Sequence, residues 1–277
     1  MLDDIVSALL SLAFVWVVAF PLGSQLKRHP AAFYSGACLL VLAHLAYRAT
    51  GSYHGEMQQL LDTLNKGYLA TAFFGLVMFI GVMNETSTLR RRLQPIRAEL
   101  SILAFIFCVS HIAVFLPSYL PRLAAILASG SIVAWSMIVA ILLTIVFAVL
   151  ALTSLRAFRV RMPYRVWKGI QRMSYLMVAL LYLHIVLALG RSAFLGHRSP
   201  AAIAAVTVYS IVFAAYVVLR LRKAFRDRKR KGTASRQADD FVRAAVTETG
   251  GNMSGDADRA SRVEGDQGTS RLGASPK

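Results

Sequence analysis

Three of the six histidines in this 277-residue chain lie in stretches that are otherwise almost wholly apolar: His44, His111 and His184. His111 sits near the middle of "SILAFIFCVSHIAVFLPSYL", residues 101–120. A buried imidazole can hydrogen-bond a neighbouring carbonyl or hydroxyl, or it can give a lone pair to a metal. His111 is 14 residues beyond Arg97, and His184 is 12 beyond Arg172. At helical rise, both lie roughly 18–21 Å from a basic edge. Two imidazoles at one depth on non-adjacent parallel helices can face each other across a bundle. That suits a haem b held by two axial histidines, because neutral imidazole is a good iron ligand and a porphyrin needs a dry slot between helices. Phe107 and Phe115, four residues either side of His111, share its helical face and are candidates to pack on the ring, or else belong to plain core. Each histidine taken singly reads as a core residue bonded to a carbonyl; the matched depth of the pair favours the haem. His44, 13 residues into its own stretch, lies at a similar level. It stays open as a third candidate iron ligand, a proton carrier or a satisfied core residue.

The remaining chemistry-bearing residues say less. His29, His54 and His197 fall in connecting segments and read as solvated. Cys38 and Cys108 each sit inside an apolar stretch, which leaves neither a disulfide framework nor a CxxC metal site. Cys108, one turn before His111, reads as a small hydrophobe. The chain carries no GxGxxG, P-loop, HExxH or GxSxG motif. A flavin or quinone remains a candidate cofactor, but no recognisable motif binds one. Arg48 and Arg191, near the ends of two apolar stretches, are candidates to pair with haem propionates, or equally are interfacial snorkelling residues.

The elements that must position these groups are apolar helices. The chain is 56% hydrophobic with a mean hydropathy of +0.55. Seven stretches approach the roughly 20 residues needed to cross a bilayer core: about 5–22, 31–48, 68–84, 99–118, 131–152, 173–190 and 201–219. The expected fold is therefore all-α, a polytopic membrane bundle of about seven transmembrane helices. Asp3 and Asp4 precede the first stretch in place of a basic signal-peptide region, so it is expected to be retained.

The net charge of +17 is laid out by topology. Lys27 and Arg28, then Arg90, Arg91, Arg92 and Arg97, follow the first and third stretches. Cations from Arg156 to Arg172 follow the fifth, and "RLRKAFRDRKRK", 220–231, follows the seventh. With seven spans these clusters share one side, which puts the N-terminus outside and the tail in the cytoplasm of a multi-pass cell-membrane protein. The 220–231 run reads as a juxtamembrane anchor on anionic lipid and not as a nucleic-acid patch. From Gly232 the chain is polar and lacks apolar periodicity beyond 239–246, as a disordered tail would.

"TLRRRLQPIRAELSILAFIFCVSHIAVFL", 88–116, followed by "LALTSLRAFRVRMPYRVWKGIQRMSYLMVALLYLHIVLAL", 150–189, resembles the ferric-reductase-like transmembrane domain. It is most similar to the haem-bearing membrane subunit of the bacterial periplasmic methionine sulfoxide reductase system. The resemblance covers about 65–220 and implies a division into three parts. Residues 1–30 form an extra N-terminal helix and basic loop, 31–222 a six-helix domain, and 223–277 a basic juxtamembrane segment and tail. It implies His111 as the first haem ligand and His184 as the last. Gln171 stands where many relatives carry a further histidine, thirteen positions before the last, so the resemblance implies one haem, in the outer half. His44 and the first stretch have no counterpart in the family pattern.

Such proteins pass electrons across the membrane from a cytoplasmic flavoprotein or quinol donor toward an outer-face acceptor. With no flavin or nicotinamide domain of its own, the chain would need a separate donor. The alternative reading is a seven-helix transporter, signalling protein or docking anchor without haem, against which the sequence offers no inverted repeat and no pair of short Gly/Pro-broken spans.

Overall fold

The computed structural model describes residues 2–50, 61, 63–195 and 199–266. Among these the regular structure is helical, with no strand. Seven long helices follow the apolar stretches: α1 (Leu2–Ala19), α2 (Pro30–Ala49), α3 (Tyr68–Val82), α4 (Arg97–Tyr119), α5 (Ile132–Ser154), α6 (Ser174–Gly190) and α7 (Pro200–Asp266). Local chemistry sets their ends. Pro30 opens α2, where its missing N–H costs nothing. Ser131 caps α5, its hydroxyl accepting from the Ala134 N–H at 3.4 Å.

Among the described residues, five segments are long and apolar enough to cross a membrane: Pro30–Ala49, Thr88–Ala128, Ile132–Ser154, Tyr164–Phe194 and Pro200–Arg230. The protein is thus a polytopic membrane protein. The expectation of about seven spans is met by five such segments plus two shorter apolar helices, α1 of 18 residues and α3 of 15. At helical rise α3 is about 22 Å long, short of a bilayer core of about 30 Å. It has no need to match the lipid, because protein surrounds it: Phe73 and Ile80 are fully buried and Leu69, Phe74 and Val77 nearly so.

α3 packs against α1 and α4; α4 packs in turn against α2 and α5, and α5 against α6. Phe73 of α3 stacks on Phe107 of α4 at 5.7 Å between centroids, and Phe14 of α1 meets both rings edge-on at 6.2 Å. Phe107 is therefore core, which settles one alternative of the sequence reading. The first part of α7 joins through Tyr216, edge-on to Phe79 at 6.1 Å, and through Ser210, 2.9 Å from the Tyr182 hydroxyl. The outward faces stay apolar: Leu9, Trp16, Leu42 and Ile211 are each 59–64% exposed, as lipid-facing side chains should be. Basic connections lie on aromatic rings, with Arg92 over Phe20, Arg159 over Trp167 and Lys168 over Tyr164 at 5.2–5.8 Å.

Residues 221–277 separate from the bundle as a second unit. The backbone of α7 continues as helix to Asp266, and Ala, Arg and Glu in this segment favour helix. His54 and His197 lie outside the described residues.

The aromatic stack should dominate stability. Phe73→Ala is expected to lower the unfolding free energy by roughly 3–5 kcal/mol, while Leu42→Ala on the lipid face changes it by less than about 0.5 kcal/mol. Thermal or denaturant unfolding of the detergent-purified variants measures both.

Candidate functional site

The site forms where α3 begins. Residues 63–65 are helical, Lys66 and Gly67 turn, and α3 starts at Tyr68. Gly67 has φ of +72°, a left-handed conformation that disfavours any side chain. A Cβ there would also sit 3.4 Å from Cγ and Nδ1 of His111. The turn thus lies directly against the imidazole, at the level of a residue eight positions inside the end of α4. α3 is short because the chain turns at the depth of His111.

The Asn65 carbonyl oxygen lies 2.6 Å from His111 Nδ1. A carbonyl can only accept, so Nδ1 carries the hydrogen and Nε2 keeps its lone pair. This is how metal-ligating histidines are commonly oriented. The Asn65 side chain is held as well. Its Oδ1 accepts from Arg48 Nη1 at 3.3 Å and lies 3.0 Å from His44 Nε2. Because arginine can only donate, that atom is the amide oxygen, and His44 Nε2 must donate to it. His44 is 2% exposed, and its Nδ1 has no hydrogen-bond partner. Asp4 ties down the other side of the turn, accepting from Lys66 Nζ at 2.9 Å and from the Tyr68 hydroxyl at 3.2 Å. The Lys66 hydrogen bond and charge hold the Asp4 carboxyl below the usual carboxylate range.

His184 projects from α6, and its Nδ1 is buried without a hydrogen-bond partner. His111 on α4 and His184 on α6 stand on helices that both pack against α5. Phe115 meets the His111 ring edge-on at 5.0 Å. These residues fit a haem: one imidazole has a free Nε2 lone pair, the other an unmet ring nitrogen, and the surroundings are apolar. Among the described residues no three His, Cys, Asp or Glu side chains gather as a metal cage; an axial pair requires two.

The other candidates fall elsewhere. His44 and Arg48 converge on Asn65. Arg191 is exposed in the π-helical turn Arg191–Leu195 that follows α6. Gln171 donates from Nε2 to the Thr153 hydroxyl at 3.2 Å, beside Trp167, whose Nε1 donates to the Thr153 carbonyl. Cys38 and Cys108 are free thiols. Asn65 itself was missed from sequence. The available signal was "NKG", 65–67, a turn tripeptide set directly before an apolar helix.

Residues 66–182 match the ferric reductase like transmembrane component. This ferric-reductase-like segment spans α3 through most of α6 and contains His111, ending two residues before His184. It marks the chain as resembling membrane electron-transfer components. A protein of Treponema pallidum (strain Nichols), described only as uncharacterized, is 33% identical over 228 residues. That match covers 80% of this chain and 62% of the relative's length. No solved structure matches.

Asn65→Ala removes the acceptor of two donors and is expected to cost about 1–3 kcal/mol of stability, read by thermal unfolding. A smaller effect follows pH. Because the folded pKa of Asp4 is lowered, its contribution is present above the ordinary carboxylate pKa of about 3.9 and is lost as pH falls through the lower folded value. For a largely exposed pair this is about 0.2–1 kcal/mol, and it should be absent in Asp4→Asn when unfolding is followed from pH 6 to pH 3.

Proposed function

We propose that the protein is a haem b membrane electron-transfer component, with His111 and His184 as the axial ligands of one haem. The observation that carries this is the 2.6 Å hydrogen bond from His111 Nδ1 to the Asn65 carbonyl, which leaves Nε2 free to bind iron. When bound, haem supplies one-electron transfer between the ferric and ferrous states. The chain's own residues do the rest. The Asn65 carbonyl fixes the His111 tautomer and ring orientation. His44 and Arg48 hold Asn65, and Phe115 and the apolar helix faces keep water from the ligand nitrogens. Arg48 and Arg191 are assigned to the haem propionates, Arg48 in addition to its bond to Asn65.

The role follows the haem subunit of the periplasmic methionine sulfoxide reductase system: electrons arrive from a separate flavoprotein or quinol and leave toward an outer-face acceptor. The positions of the basic clusters support a cell-membrane topology with the N-terminus outside, the tail in the cytoplasm and the 220–231 run on anionic lipid. Gln171, bonded to Thr153, is better suited to bracing α5 than to receiving a donor's prosthetic group.

A reduced-minus-oxidised absorption spectrum of the purified protein tests the proposal, with b-type bands expected and their absence overturning it. Pyridine haemochrome assay should give about one haem per chain. His111→Ala and His184→Ala should each abolish six-coordinate haem, whereas His44→Ala should retain it; two haems per chain would make His44 the next ligand to test. For topology, a reporter active only in the cytoplasm should work after Lys231 and fail at Gly130, and the reverse pattern would invert the assignment.

A further inference from the structure

The proposed electron-transfer role makes no use of a cavity of ≈ 100 Å³ at the opposite end of the bundle. Five side chains able to donate hydrogen bonds line it: Arg97 at the start of α4, Ser174 and Tyr175 at the start of α6, and Tyr216 and Arg220 on α7. Its floor is apolar, formed by Phe74, Val77, Met78 and Val178. No carboxylate is among its lining residues, and neither arginine is paired with a carboxylate among the described residues. Arg220 donates to the Tyr175 hydroxyl and lies over that ring at 4.7 Å from its centroid, so the guanidinium is held in place at the rim. Arg97 is half-buried, and its Nη2 lies next to the Gly81 backbone.

Two guanidiniums facing one small cavity repel each other unless an anion lies between them. The donors outnumber the acceptors, which selects a ligand rich in acceptor oxygens. The volume falls below the roughly 300 Å³ at which pockets hold ring-sized organic ligands, which excludes a flavin or quinone head and admits a compact anion. We propose that this cavity binds a phosphate group. Both sources of such a group are consistent with the lining: an anionic lipid whose acyl chains continue along the apolar floor, or free phosphate. The site stands apart from the histidines, since Tyr175 precedes His184 by nine residues, roughly 13 Å along α6. It holds whether or not haem is bound.

The full-length protein, purified in nonionic detergent, is titrated at constant ionic strength with phosphatidylglycerol in mixed micelles or with inorganic phosphate, and its thermal unfolding midpoint is followed. A saturable rise is expected with at least one of them. A response to phosphatidylglycerol assigns a lipid headgroup, and a response to inorganic phosphate alone assigns free anion. Arg97→Gln and Arg220→Gln should each raise the half-saturating concentration about tenfold or more, while Arg226→Gln, in the basic run beyond the cavity, should leave it unchanged. If Arg97→Gln does not fold, Arg220→Gln and Tyr175→Phe carry the comparison, the latter with a smaller loss. No saturable rise with either ligand overturns the proposal. So does an Arg226→Gln effect as large as that of Arg220→Gln, which would show only diffuse attraction to a basic surface.

Discussion

The bond between His111 Nδ1–H and the Asn65 carbonyl is the constraint around which this bundle is arranged. For a backbone carbonyl to reach an imidazole inside α4, the chain before α3 must turn within the bundle. That turn requires the left-handed glycine at 67 and shortens α3 to 15 residues. It also brings a polar backbone into apolar surroundings, where unsatisfied groups are costly. Asn65 therefore has both its carbonyl and its side chain occupied, with His44 and Arg48 supplying the donors. Asp4 secures the adjacent Lys66 and Tyr68 from α1. The turn before α3 is thus held by partners from α1, α2 and α4.

Packing holds the histidine-bearing helices in register. In lipid, association relies on close van der Waals contact, since the acyl chains are as apolar as the side chains. The Phe14–Phe73–Phe107 cluster supplies such contact one helical turn from His111, so the register of α4 is fixed near the residue whose position matters. On the other side α5 touches both α4 and α6 and sets the separation between His111 and His184. Gln171, Trp167 and Thr153 brace the α5 end of that arrangement.

Much of the architecture was legible in hydropathy. All seven apolar stretches became helices. What sequence could not reveal depended on backbone. Hydropathy registers apolar character but not a turn that dips below the membrane surface, so α3 was taken as an ordinary span and Asn65 went unnoticed. The acceptor on Asn65 that orients His111 is a main-chain carbonyl, which any residue possesses and no residue type announces. His44 was ambiguous for a related reason: counting residues cannot show that its Nε2 is bonded to the Asn65 amide. Phe107 and Phe115 are equivalent in spacing, and only the location of Phe73 separates core from ligand contact.

The central claim is that His111 and His184 bind one iron through two neutral imidazoles. Low-temperature electron paramagnetic resonance of the oxidised, purified protein reports this ligation directly. A low-spin ferric signal characteristic of bis-histidine haem is predicted, lost on substitution of either histidine and kept when His44 is replaced. A high-spin ferric spectrum, or a bis-histidine signal that survives in His184→Ala, would contradict it.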